Sequence, residues 1–552
     1  MQNAVNRLIS HVANHGIRHV VICPGSRNAP LTLAFSRHSQ FECYALVDER
    51  SAAFTALGMA VAIGKPVAIV CTSGTAVLNF YPAIAEAYYS QIPLLIITAD
   101  RPANWIDQWD GQCIRQTNIF EKHILGSFTY DPLNANDAIS KAIALCSFPT
   151  KGPVHINVPI SEPIYEAKNL SFQYPEWPQE AVFEKQNVSS LPDVLPSDKI
   201  IILAGADAWG QRHQMWFDSL ESQGKIVLIA DVISGLHETQ TLKNWDILLT
   251  IADEKLKADL KPELLISIGK FTVSKGLKNF IRQHQPIEHW HITDNHTIAN
   301  PFQTNLHEIM ASEADFLNWL LSNSSHIGTS YVDAWKSHSK VLEKKMESLI
   351  AGNSFNEFTA TNHILSKLPK PSTLHVGNSM PIRYISFLAN TLDGLKVYGN
   401  RGTSGIEGSL STAVGNSMMH QQLTVILLGD MSFFYDINAL WNKYLRSNFK
   451  IIVLNNGGGG IFRLMDGPSD LPECEDYFAT QSARTCKRMA EEFNINYFHA
   501  SDFVTLQHQL TAICNDKTRA GILEVEVNSA LTIEFYKKFT QLNINPNPQL
   551  DN

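Results

Sequence analysis

The first 160 residues alternate short apolar runs with stretches of helical spacing. HVVICPG (19–25), ECYALVDE (42–49), PVAIVCTSG (66–74) and PLLIITADRP (93–102) each end on turn-forming or polar residues. Between them, 29–38, 50–64 and 75–90 carry Ala and Leu at helical period. Strand, helix, strand at this cadence predicts a parallel sheet covered by helices on both faces. Such sheets bind their ligands outside the carboxyl ends of the strands. Gly25-Ser26-Arg27, Asp48-Glu49-Arg50, Ser73-Gly74-Thr75 and Asp100-Arg101 fall at those ends.

A Pro-, Gln- and Glu-rich stretch, 171–198, reads as a linker. The pattern then resumes with KIIILAGADA (199–208), KIVLIADV (225–232) and ELLISIGK (263–270), followed by a polar segment of helical character, 303–355. A third unit carries STLHVGNS (372–379), LKVYGNRG (395–402), LTVILLGD (423–430) and FKIIVLNN (449–456). The expectation is an α/β protein of three tandem α/β domains with parallel sheets: an N-terminal domain at 1–170, the linker, a central domain at 199–350 and a C-terminal domain at 351–552.

Composition narrows the function. A chain of 552 residues exceeds a single hydrophobic core. A net charge of −9 gives no global basic field to hold nucleic acid or an anionic membrane, so an anionic ligand must meet local clusters of Arg and Lys. Eight scattered cysteines without a C-x-x-C pair suit a reducing cytosol better than a zinc site or a disulfide framework. The start, MQNAVNRLIS, lacks the charged and apolar regions of a signal peptide, and no apolar run approaches the ~20 residues of a membrane span. A cytoplasmic location is expected.

The strongest chemical motif is Gly429-Asp430 followed by Asn456, 26 residues after the Asp, both at the ends of apolar runs. The intervening SFFYDINALWNKYLRS reads as a helix, so a βαβ unit would bring Asp430 and Asn456 to one sheet edge. A carboxylate, an amide oxygen and a backbone carbonyl are hard ligands for Mg²⁺, which completes its octahedron with phosphate and water. The glycines at 457–460 would let the backbone approach a diphosphate closely. Taken singly, Asp430 could equally be a helix cap.

The paired spacing resembles the thiamine-diphosphate enzyme superfamily, whose pattern is G-D-G, some 25 residues, then N-N; Met431 stands here where the third Gly usually lies. The resemblance implies a thiamine-diphosphate fold at both ends of the chain: a pyrimidine-binding N-terminal domain, and a C-terminal domain binding the diphosphate and Mg²⁺ (or Mn²⁺). It places Asp430, Asn456 and Gly458 around the metal, and Ser73, Gly74, Gly429, Met431, Ile461 and Phe462 around the cofactor. It makes Glu49 the carboxylic acid that hydrogen-bonds the aminopyrimidine and promotes loss of the thiazolium C2 proton. Ile406 becomes the apolar side chain that bends the cofactor.

Within that superfamily the chain is similar to the 2-succinyl-5-enolpyruvyl-6-hydroxy-3-cyclohexene-1-carboxylate synthases of menaquinone biosynthesis. The similarity is clearest in CPGSRNAP (23–30), TSGTAVLNFYPA (72–83), ITADRP (97–102), NSMPIR (378–383) and NRGTSGIEG (400–408). It implies decarboxylation of 2-oxoglutarate and 1,4-addition of the resulting succinyl carbanion to isochorismate. Both substrates are dianions, which suits Arg with its two-pronged grip on carboxylates. By resemblance Ser26, Arg27, Arg101, Gln112 and Lys275 face isochorismate, while Arg383 and Arg401, with Ser379 nearby, hold the succinyl carboxylate. A homodimer or homotetramer is also implied, with Glu49 and Asp430 of different chains serving one site. Two alternatives stay open here: another thiamine-diphosphate carboligase acting on small 2-oxo acids, of the acetohydroxyacid synthase kind, and a non-catalytic regulatory protein that kept the fold.

Overall fold

The computed structural model describes residues 2–131, 135–147, 150–162, 164, 191–206, 210–237, 242–293, 299–352, 354–465 and 467–544. Residues 171–190 of the expected linker lie outside the described residues.

Three all-parallel sheets carry the fold. The first contains β1 (His19–Ile22), β2 (Glu42–Ala45), β3 (Val67–Cys71), β4 (Leu94–Asp100), β5 (Gly126–Thr129) and β6 (Pro153–Pro159). The second contains β7 (Ile200–Ala204), β8 (Val227–Ala230), β9 (Leu264–Ile268), β10 (Glu288–Thr293) and β11 (Leu306–Met310). The third contains β12 (Ser372–Val376), β13 (Leu395–Tyr398), β14 (Thr424–Gly429), β15 (Phe449–Asn455), β16 (Asn496–Ala500) and β17 (Gly521–Glu526). Val67–Cys71, Leu94–Asp100, Ile200–Ala204 and Leu264–Ile268 are buried at every position, as strands covered on both faces must be. The α/β architecture read from the sequence is the observed one.

The strand orders reveal more than the apolar runs could. The first sheet runs β2-β1-β3-β4-β6-β5 and the third β13-β12-β14-β15-β17-β16, the same order strand for strand, whereas the second runs β11-β10-β9-β7-β8. In the first sheet the order reverses between β1 and β3, and in the third between β12 and β14. Those reversals open the crevices where such sheets take ligands. Ser26, Arg27, Ser73 and Gly74 follow β1 and β3; Ser379 and Asp430 follow β12 and β14. At both crevices a glycine permits close approach: a Cβ on Gly25 would lie 2.3 Å from Thr72 Cβ, and one on Gly377 2.8 Å from Leu428 Cβ.

The matching helices after β2 and β13, Glu49–Ile63 and Ser409–Met418, cross in direct backbone contact. A Cβ on Gly58 would fall 1.9 Å from the Thr412 carbonyl oxygen, and one on Gly415 1.9 Å from that of Thr55. Ala52, Ala53, Ala56, Ala60 and Ala413 are fully buried around the crossing.

Two expectations fail locally. The stretch after Asp430 is not one long helix: an α-helix covers Asp430–Tyr435 and a 3-10 turn Ile437–Leu440. The reason is tertiary. Asp436 turns its buried carboxylate to accept from Ser411 N (2.7 Å) and Ser411 Oγ (2.8 Å), while Asn438 donates to Asp48 (2.6 Å). These bonds replace the helical ladder. The polar 303–355 segment likewise begins with an edge strand, β11, before its helices. Among the described residues no helix is long and apolar enough to cross a membrane. All eight cysteines are free thiols.

Gly58→Ala should cost about 1–3 kcal/mol or more by forcing the two helices apart. Chemical denaturation followed by circular dichroism reads this directly; unchanged stability would show that the crossing relaxes freely.

Candidate active site

Asp430 opens its helix directly at the end of β14 and is only 2% exposed. The Met431 and Gly458 backbone N–H groups lie close enough to its carboxylate to favour the ionised form, which brings the two ends of the G-D…N-N motif together. Burial is the main cause that pushes its pKa up to about 6, with the nearby Glu357 carboxylate acting in the same direction. That is an anion short of a cation. Asn456 follows β15 and presents a buried Oδ1 without a hydrogen-bond partner. Its backbone carbonyl is held by Ser529 Oγ at 2.8 Å. Gly457 and Gly458 have φ of 74° and 143°, and a Cβ on Gly458 would stand 2.6 Å from the Ala479 carbonyl oxygen. Ile461 and Phe462 form the wall beyond, on the turn Gly460–Arg463, with Phe462 packed on Phe478 at 5.8 Å. Met431 receives a contact from Thr480 Oγ1 at 3.9 Å. One buried carboxylate, one unpartnered amide oxygen and a glycine cradle fit a Mg²⁺-diphosphate. Among the described residues no trio of His, Cys, Asp or Glu could hold a metal, so the ion would need ligand oxygens beyond carboxylates.

Glu49 starts its helix, with Asp48 as the N-cap accepting from Ser51 N at 3.1 Å. Burial, with Asp48 a smaller cause, raises the Glu49 pKa, which favours the protonated acid. The flanking residues are pinned to the C-terminal domain. Arg50 donates to the Tyr435 carbonyl (2.8 Å) and lies 4.6 Å over its ring. Nearby, Ser73 Oγ and Thr72 Oγ1 are buried without partners, and Gly74 takes φ 86° with its N–H given to Gln116 Oε1 at 2.9 Å. Gln116 also donates to Asn157 Oδ1 (3.0 Å) and the Ala99 carbonyl (3.1 Å), so this buried glutamine braces the crevice. Sequence reasoning missed it, because a lone Gln in a loop carries no pattern.

The cationic residues form two groups. Arg27, buried and 5.4 Å from the Trp105 ring centroid, donates to the Ile160 carbonyl (2.9 Å) and pairs with Glu162 at 3.2 Å. Burial and the neighbouring Arg101 lower its pKa. Arg101 donates to the Gly111 carbonyl (2.8 Å), next to Gln112, whose φ is 56°. Ser26 is exposed beside them. The second group lines a cavity of about 400 Å³ between the second and third sheets, where Lys275 joins Arg383 and Arg401. Lys275 thus stands within its own chain beside the two arginines assigned to the succinyl carboxylate, not beside Arg27. Arg401 donates to Asn378 Oδ1 (2.7 Å) and Arg383 to the Ser379 carbonyl, with Ser379 itself at φ 75°. Burial lowers the pKa of both arginines, a desolvation that a bound carboxylate would offset. Asp246, fully buried, accepts from Ser274 Oγ and Ser386 Oγ and so ties the helix starting at Lys275 to the helix bearing Arg383.

Ile406 is half-buried in the loop after β13. That loop hangs on the N-terminal domain through Glu86, which accepts from Gly402 N (2.8 Å), Thr403 N (2.7 Å) and Thr403 Oγ1 (2.8 Å). Glu86 has no motif in the sequence to announce it.

Residues 2–119 match the thiamine pyrophosphate enzyme N-terminal TPP binding domain, and residues 177–376 match the middle domain of thiamine pyrophosphate enzymes. The 2-succinyl-5-enolpyruvyl-6-hydroxy-3-cyclohexene-1-carboxylate synthase of Flavobacterium johnsoniae is 38% identical, over 95% of this chain and 97% of its own length. Enzymes of the same name from Flavobacterium psychrophilum (40% identical, over 95% of this chain and 96% of the relative) and Cytophaga hutchinsonii (37%, over 95% and 96%) are equally extensive matches. The chain belongs to this synthase family. It is a thiamine-diphosphate enzyme whose N-terminal cofactor-binding domain carries the first sheet, and the third sheet repeats that sheet's strand order.

Gly458→Ala should weaken binding of thiamine diphosphate with Mg²⁺ at least about tenfold, because its methyl group would press on the Ala479 carbonyl at a positive φ and displace the 457–460 loop. Calorimetric titration checks it, and wild-type affinity in the variant would remove the 457–460 loop from the diphosphate site.

Proposed function

We propose that the chain decarboxylates 2-oxoglutarate and adds the remaining succinyl fragment to isochorismate in a 1,4-addition, giving 2-succinyl-5-enolpyruvyl-6-hydroxy-3-cyclohexene-1-carboxylate and CO₂. The observation that carries this reading is the gathering of cations, Arg27 buried and Arg101, Arg383 and Arg401 half-buried, in a net-negative chain. Arg27 with Arg101, and Arg383 with Arg401 and Lys275, provide two anion-holding clusters for two dianionic substrates. Asp430, Asn456 and the Gly458 carbonyl hold Mg²⁺ or Mn²⁺, and Ser73, Gly74, Gly429, Met431, Ile461 and Phe462 surround the cofactor. When bound, thiamine diphosphate supplies a nucleophilic C2 and an electron sink for decarboxylation. Glu49 would hydrogen-bond the aminopyrimidine ring and hold a proton there, and Ile406 would pack against the cofactor. Arg383 and Arg401, with Ser379, grip the distal carboxylate of 2-oxoglutarate. Ser26, Arg27, Arg101, Gln112 and Lys275 orient isochorismate, with Lys275 coming from the other cluster's cavity.

We further infer domains at 1–170, 199–350 and 351–552, a cytoplasmic location, and a homodimer or homotetramer in which Glu49 and Asp430 of different chains complete one site. Mixing inactive Glu49→Gln and Asp430→Ala chains should then restore part of the activity, because a mixed dimer regenerates one intact site. A fully active monomer in sedimentation would overturn the shared site.

Wild-type protein given isochorismate and 2-oxoglutarate should consume both, with the product identified by mass; failure to couple them refutes the proposed reaction. Arg401→Ala should lose at least about tenfold in kcat/KM for 2-oxoglutarate, since a charge-assisted hydrogen bond is worth about 1.5–3 kcal/mol. Activity toward pyruvate, which has no distal carboxylate, should change little. Arg27→Ala should spare CO₂ release and damage isochorismate consumption. Equal damage to both half-reactions in both variants would dissolve the two-pocket assignment.

A further inference from the structure

Glu357 is the first residue of the helix Glu357–Lys367, and only 3% of it is exposed. Its position is fixed from below by a reciprocal capping box between Asn356 and Thr359. Both carboxylate oxygens are engaged. Oε2 accepts from the hydroxyl of Tyr384, itself buried, at 2.9 Å, and Oε1 accepts from Asn456 Nδ2. Oε1 accepts here, so it faces the NH₂ end of the amide. Asn456 Oδ1 therefore points the other way, and it is this oxygen that is buried without a partner. Gly460 leaves the necessary room, for a Cβ there would lie 2.4 Å from Asn456 Nδ2. An amide has one oxygen end and one NH₂ end of nearly equal size, and only the oxygen end can ligate a hard cation.

We propose that Glu357 is a positioning residue of the metal site, whose carboxylate turns the Asn456 amide so that Oδ1 rather than Nδ2 faces the cation. This rests on Asn456 being a metal ligand, as proposed above. Glu357 does not touch the metal. It acts through Asn456, and Tyr384 decides which Glu357 oxygen is left for the amide.

The Tyr384 bond makes the idea testable. In Glu357→Gln the Tyr384 hydroxyl takes the lone side-chain oxygen, leaving Nε2 toward Asn456. The amide must then turn its oxygen inward and its NH₂ toward the cation. Adding Tyr384→Phe frees the Gln oxygen to accept from Asn456 again. The measurement is Mn²⁺ affinity of the full-length protein saturated with thiamine diphosphate, read from the free-Mn²⁺ electron paramagnetic resonance signal. Glu357→Gln should bind Mn²⁺ about 10–100-fold more weakly, the usual effect of losing a partner that orients a ligand. Tyr384→Phe alone should match wild type, and the double variant should regain much of the lost affinity. Wild-type affinity in Glu357→Gln, or no recovery in the double variant, overturns the proposal while leaving the site itself standing. If wild-type protein binds no Mn²⁺ with the cofactor, the site reading fails and the proposal falls with it. Should Glu357→Gln not fold, the exchanged pair Glu357→Gln/Asn456→Asp decides the matter. It keeps the net charge and lets the Gln amide donate to the new carboxylate, whose other oxygen faces the cation. Near-wild-type Mn²⁺ binding supports the proposal, and its loss overturns it.

Discussion

The close crossing of the helices Glu49–Ile63 and Ser409–Met418 is the constraint on which the arrangement of the site depends, because two backbones can meet this way only where a side chain is absent. Gly58 and Gly415 each face a carbonyl oxygen of the opposite helix at a distance no Cβ could share. Each helix leaves the carboxyl edge of its own sheet, and the first of them begins with Glu49. Locking the two together therefore joins the domain that bears Glu49 to the domain that bears Asp430 within one chain, so that in the proposed shared sites each chain offers these two residues, to different sites, from one joined unit. The short bonds nearby, Arg50 to Tyr435 and Asn438 to Asp48, hold the same junction from its polar side.

From that junction the site extends as a problem in placing charge. The chain is net negative, yet its clefts gather Arg27, Arg101, Lys275, Arg383 and Arg401. Burial depresses the pKa of Arg27, Arg383 and Arg401, so their positive charge is poorly solvated until an anion arrives. The opposite holds at Asp430 and Glu357, two carboxyl groups raised by burial and close enough to interact. The crevice at Asp430 gathers negative charge, and the two clefts at Arg27 and Arg383 gather positive charge. A Mg²⁺-diphosphate and two dicarboxylates are the complements.

Much of this was legible along the chain, and the reasons differ by element. Central strands such as Ile200–Ala204 are apolar throughout because both faces are covered, so they stand out in a sequence. Edge strands do not: Leu306–Met310 is only partly buried, and nothing in its pattern separates it from the polar helices that follow. The stretch after Asp430 misled for another reason. Its local pattern suits a helix, but Asp436 and Asn438 form bonds to residues far away in sequence, and those bonds end the helix early. Glu86 and Gln116 were invisible because their importance lies wholly in partners brought to them by folding.

The sequence by itself determined the α/β class, many of the sheets' strands (though not the internal Pro153–Pro159, Glu288–Thr293 and Gly521–Glu526) and the family, because apolar runs and the Gly429-Asp430…Asn456 spacing are local or regular in the chain. It also named the residues that gather at the strand ends. Tertiary structure alone decided that the two outer sheets share one strand order, that Lys275 shares a cavity with Arg383 and Arg401, and that Glu357 stands behind Asn456. Each of those depends on contacts between residues tens to hundreds of positions apart, and no periodicity in a single chain records which distant side chain a buried carboxylate will face.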